Sequence, residues 1–122
     1  MYRSQGYETD LAILKRLQSL GVRQVLQEEA EVFSYLSAVS AFLESYDFMK
    51  LGQAIQRGQW NSVMMTLRRL DVATKNLKID CLARQLSGLR LAAAARETAQ
   101  AKQILALLVA KRVQLLKVMK DC

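Results

Sequence analysis

The sequence has no histidine and no proline among its 122 residues. Without histidine there is no imidazole for general-base catalysis, for a metal site or for carrying a phosphoryl group. The missing prolines, with only five glycines and 7% aromatic residues, leave few of the turn residues that sandwiches and barrels need. Cysteine is scarce too. Cys81 and Cys122 are too far apart in sequence to suggest a disulfide framework, and two thiols cannot close a zinc site alone. A buried thiol at Cys81 and a terminal one at Cys122 are expected. The longest apolar tract, Ile104 to Ala110, falls well short of the roughly 20 residues that cross a bilayer. The opening MYRSQGYETD is polar and lacks the apolar core of a signal peptide. A soluble, cytoplasmic protein without a membrane span is expected.

Enzyme signatures are equally scarce. There are no paired carboxylates at catalytic spacing, no serine elbow, no glycine-rich phosphate loop and no metal-ligand cluster. Cys81 follows Asp80 near an expected helix start, a position that favours a thiolate, but one residue does not make a site. The expectation is a non-catalytic protein that uses neither cofactor nor metal.

What the chain does have is hydrophobic mass and helical period. At 52% hydrophobic residues it can fill a packed core, and its length suits one domain over residues 1–122. Apolar residues recur at three- and four-residue steps throughout. Leu11, Ile13, Leu14, Leu17 and Leu20 mark a first helix, with Asp10 as N-cap or early acidic residue and Gly21 as its stop. A short segment with Val22, Val25 and Leu26 follows. Val32 to Tyr46 reads as a second helix, and Asp47 to Gly58 as a third, capped by Asp47. Trp60, Val63, Leu67 and Leu70 mark a fourth helix, running to Leu77. Leu82, Leu86, Leu89 and Ala93 mark a fifth, and Thr98 to Met119 forms the longest and most apolar one. The connections are short, so neighbours should run antiparallel. The expected fold is all-α: an up-down antiparallel four-helix bundle with extra short N-terminal helices.

Charge is distributed unevenly. Residues 1–61 carry six Lys/Arg against seven Asp/Glu, a net of −1, whereas residues 62–122 carry twelve against four, a net of +8. A basic half suits nucleic acid, an anionic membrane or an acidic protein. Its cations, among them Lys78, Arg84, Arg96, Lys102 and Lys117, are spread over three expected helices. No aromatic stacking platform or helix-turn-helix accompanies them.

From Gly58 the chain reads GQWNSVMMTLRRLDVATKNL, then KIDCLARQL. This resembles the histidine-containing phosphotransfer (HPt) domain of bacterial phosphorelays. In that family a G-D-W turn opens a helix, followed by H-x-L-K-G, an A-N-L-G-like turn and a helix beginning L-x-x-L. Gly58, Gln59 and Trp60 match the turn, Leu70 the motif's leucine, and Asn76 and Leu77 the next turn. VFSYLSAVSAFLESY, residues 32–46, matches the preceding helix, and the likeness spans roughly residues 22–120. The departures concern the chemistry. Arg68 stands at the phosphoacceptor position, Asp71 at the motif's lysine and Val72 at its glycine. A guanidinium stays protonated and is no nucleophile, so the resemblance implies a degenerate domain that carries no phosphate.

At 100° per residue, with Leu67 inward, Trp60, Val63, Leu70 and Thr74 share the inner face of the fourth helix. Thr74 is the polar member there, with a hydroxyl that can bond back to the Leu70 carbonyl. Trp60 is expected as a core anchor. Asp71 is expected to pair with Lys75 one turn on. Met65, Arg69 and Val72 point outward, with Arg68 on their shoulder and Lys75 at the margin. In an HPt domain the corresponding face docks a receiver. The resemblance therefore implies a partner-docking face of Met65, Arg68, Arg69, Val72 and Lys75, with a response-regulator receiver or histidine-kinase domain as partner. Solvated surface charges and scattered surface apolars are the plainer alternative. Nucleic-acid binding by the basic half is the rival function.

Overall fold

The computed structural model describes residues 2–120, so Cys122 lies outside them. The described chain is all helix and loop. Six α-helices follow in order: α1 (Tyr7–Ser19), α2 (Glu29–Leu43), α3 (Asp47–Gln56), α4 (Trp60–Asn76), α5 (Asp80–Ala94) and α6 (Thr98–Lys120). The periodic pattern anticipates each of them. Residues 20–28 are not helical, so α1 is the one helix that precedes α2.

Two boundaries differ from the sequence expectation. The first helix begins at Tyr7 behind Gly6, so Asp10 is the early acidic residue inside its first turn and not the N-cap. Its carboxylate is buried, and it accepts hydrogen bonds from the hydroxyls of Tyr2 and Ser4. These donors satisfy a charge that would otherwise be costly to bury. The second helix stops at Leu43 rather than Tyr46. Asp47 begins α3 as its first residue, with its own N–H bonded to Ser45 Oγ.

Four helix ends share one closing geometry. After α1, α3, α4 and α5 the chain takes a single residue at positive φ: Gly21 (109°), Gly58 (67°), Lys78 (57°) and Arg96 (54°). In each case the next N–H reaches back to the helix. Val22 donates to Leu17, Gln59 to Ala54, Ile79 to Thr74 and Glu97 to Ala92, at 2.9–3.1 Å. This is the Schellman arrangement, which satisfies the last carbonyls of the helix and turns the chain sharply. After two of these turns the next residue is itself core. Val22 and Ile79 are buried, and each locks its turn to the interior.

The tight turns set the packing. Helix contacts run from α3 to α4, α4 to α5, α5 to α6 and back from α6 to α3, while α1 and α2 pack on each other and on α6. The core along this arrangement includes Leu36, Leu51, Val63, Leu67, Leu86, Leu89, Leu108 and Leu115. Gly88 lets α5 and α6 approach closely, since a Cβ there would stand 3.3 Å from Ile104 Cδ1. Loop 20–28 is held against the α4–α5 turn. The N–H of Cys81 donates to the Gly21 carbonyl at 3.0 Å, and that of Arg23 to the Lys78 carbonyl at 2.8 Å.

Candidate functional site

Helix α4 is anchored from inside by Val63, Leu67 and Leu70, all buried, with Trp60 half-buried against the same core. That anchoring fixes its rotation and aims the opposite face outward. Met65 and Val72 stand 61% and 54% exposed, which is high for apolar side chains, and Arg68, Arg69 and Lys75 are exposed beside them. The outward stripe read from the sequence is therefore a surface feature of the fold.

Its cations are not alike. Arg69 reaches across to α3 and donates to Asp47 through Nε and Nη2, at 3.3 and 3.1 Å. That bond and the nearby carboxylate raise the guanidinium pKa further above its ordinary value. Lys75 pairs with Asp71 at 3.1 Å, one turn apart as the spacing implies. Asp71 is nearly buried and also has Arg90 of α5 at 3.6 Å, so it ties α4 to α5. Arg68 has neither an ion pair nor a hydrogen bond from its side chain among the described residues. It is the free charge at the centre of the stripe.

Two local expectations are revised, the Thr74 back-bond and the fully buried thiol at Cys81. The Thr74 hydroxyl, 1% exposed, bonds to no partner, so the back-bond to the Leu70 carbonyl is not made. The Cys81 thiol is half-buried, and desolvation raises its pKa above the ordinary value, outweighing the opposing pull of Lys111. Position near the α5 start does not favour a thiolate there, because burial disfavours the charged form more strongly.

The basic half is also less uniform than its count implies. Arg112 donates to the Leu43 carbonyl at 2.6 Å and lies over the Phe48 ring at 5.0 Å. With Lys75 and Arg90 drawn to Asp71 and Arg69 to Asp47, four of these cations are engaged within the fold. No group of three or more metal-ligating side chains occurs among the described residues. No described helix is long and apolar enough to cross a membrane.

One feature near the stripe had no signal in the sequence. A groove of about 280 Å³ runs between α3 and α4, bordered by Lys50, Arg57 and Arg69 together with Gln53, Gln59 and Ser62. No carboxylate lines it. Met65 and Arg69 belong to both this groove and the stripe. Its walls come from two helices, and the Asp47–Arg69 contact at its rim joins residues 22 apart, so no local spacing announces it.

Comparison with family models, with curated proteins and with solved structures returns no match to the chain.

Proposed function

We propose that this protein is a non-catalytic interaction module: an HPt-like four-helix bundle without its phosphoacceptor, docking a receiver or histidine-kinase domain without relaying phosphate. The observation that carries this reading is the free guanidinium of Arg68 between two exposed apolar side chains, Met65 and Val72. A receiver's phosphorylation site is an acidic pocket rimmed by apolar residues. Arg68 can pair with its carboxylates, or bidentately with its phosphoryl group, while Met65 and Val72 meet the rim. The ring of contacts from α3 through α6 supports the bundle part of the reading. The absence of histidine removes phosphotransfer by the usual acceptor.

The test is retention of partners from lysate of the source organism on native bait and on Met65→Asp/Arg68→Glu bait, read by mass spectrometry. The expected result is a receiver or kinase held by the native form alone. Equal retention on both baits would reduce the stripe to a solvated face. Nuclease-sensitive, salt-labile retention would favour nucleic acid, because phosphate-backbone binding weakens steeply with ionic strength. A second measurement addresses the chemistry. After incubation with a phosphorylated receiver, the protein should carry no acid-labile phosphate, and finding any would overturn the non-relay reading.

A further inference from the structure

The groove between α3 and α4 has a charge that specifies its occupant. Lys50 lies on α3 and Arg57 is its C-cap residue, seven positions on, which places their backbones about 10 Å apart along the axis and on one face. Neither makes an ion pair among the described residues, although Lys50 rests over the Tyr46 ring at 5.5 Å. Arg69 on the opposite wall is partly neutralised by Asp47. Carboxylates two and four residues apart share one face of an extended chain and lie about 7 and 13 Å apart, a range that brackets this axial separation and that the flexible Lys50 and Arg57 side chains can meet. The amides of Gln53 and Gln59, which also line the groove, offer donors and acceptors to a peptide backbone. The groove also opens onto the stripe through Met65, so one partner can fill both.

We infer that the α3–α4 groove binds an acidic, extended segment of the partner whose core docks on the Met65–Arg68–Val72 stripe. The inference rests on the docking reading and adds to it a second contact surface and the partner's chemistry there. Lys50 and Arg57 supply the electrostatic part. With no carboxylate among its lining residues, and Asp47 at the rim taken up by Arg69, the groove favours anionic over neutral peptide.

The experiment uses the full chain and a fluorescein-labelled Glu-Thr-Thr-Glu repeat peptide, followed by anisotropy at fixed ionic strength. Lys50→Glu/Arg57→Glu is compared with Lys102→Glu/Lys117→Glu on α6, which lowers net charge by the same amount at exposed sites away from the groove. The groove variant should lose at least about tenfold in affinity and the α6 variant less than about twofold. Equal losses would overturn the proposal, since the peptide would then be sensing net charge alone. Displacement of the peptide by an equimolar amount of inorganic phosphate would overturn it as well, pointing to a small-anion site. Thermal unfolding of both variants identifies any misfolded protein, and the single variant Arg57→Gln then carries the test. The lysate baits separate the two claims. If Arg68→Glu loses the partner and the groove variant keeps it, the groove inference falls and the docking reading stands. If the groove variant loses the peptide while Arg68→Glu and native baits behave alike, the groove stands without that reading.

Discussion

Two regions of the molecule, both rich in α4 or its flanks, are built on opposite principles. At the seam between loop 20–28 and the α4–α5 turn, nearly every group is committed. Gly21 and Cys81 meet with no room for a side chain, and two backbone hydrogen bonds cross the junction. Arg23 and Asp80 pair at 2.8 Å, and the Tyr35 hydroxyl donates to the Leu77 carbonyl. On the outward stripe of α4, Arg68 makes no ion pair or side-chain hydrogen bond among the described residues, and two apolar side chains face water. Substitution at the seam should therefore change stability, and substitution on the stripe should change binding. The comparison gives each region its own readout.

The strongest challenge to the seam is Gly21→Ala. At φ 109° a side chain is strained, and the new Cβ would lie 2.7 Å from Cys81 Cβ. Strain and overpacking together should cost roughly 2–4 kcal/mol, measured by urea unfolding. Adding Cys81→Gly removes the clash and leaves the strain, so partial recovery in the double variant apportions the two. A loss below about 0.5 kcal/mol would mean that the loop does not sit on α5 in solution.

Tyr35→Phe is milder, removing one hydrogen bond to the Leu77 carbonyl at a cost of about 1 kcal/mol. It also carries a pH signature. Burial, then the nearby Cys81 and Asp80, raise the Tyr35 pKa above its ordinary 10.0. Above pH 10 the unfolded chain releases this proton while the folded one retains it, so the unfolded state binds fewer protons and stability falls as pH rises. Below pH 10 the contribution is complete and flat. The native thermal midpoint should thus decline more steeply than that of Tyr35→Phe above pH 10, and parallel slopes would contradict the buried hydroxyl.

Lys78→Gly works in the opposite direction. Lys78 sits at φ 57° at the close of α4, where a Cβ is unfavourable and glycine is not. A gain of roughly 0.5–1 kcal/mol is expected in the same unfolding measurement, because the backbone bond from Arg23 to the Lys78 carbonyl survives the change.

The turn at Lys78 also marks the limit of what the sequence made legible. Gly21 and Gly58 announced two helix ends, whereas Lys78 and Arg96 close theirs with the same geometry and no glycine. The first of those ends was marked by the turn that the resemblance places at Asn76 and Leu77, and the second only by the new helical pattern starting at Thr98. Helix faces were readable because burial repeats with the helical period: Leu67 and Leu70 lie inside, Met65 and Val72 outside. Contacts across helices were not. Arg69 to Asp47, Arg90 to Asp71 and the cation-lined groove all join residues that only the packing brings together. Thr74 failed for a related reason, since a helical hydroxyl with a carbonyl in reach need not rotate to meet it.

Arg68→Glu should have the smallest effect on stability and is the most informative about the stripe. No interaction in the fold is lost, and α4 keeps its inner anchors Val63, Leu67 and Leu70. Glu is nearly as good a helix former as Arg, and Lys75, Asp71 and Arg69 keep their partners. The new carboxylate lies three residues before Asp71, where weak repulsion sets a cost of about 0.5 kcal/mol or less. The thermal midpoint should therefore shift by no more than about 2–3 °C. A drop as large as that of Tyr35→Phe would mean that Arg68 is held by the fold after all. The stripe would then belong with the seam, and the case for a docking face centred on Arg68 would lose its basis.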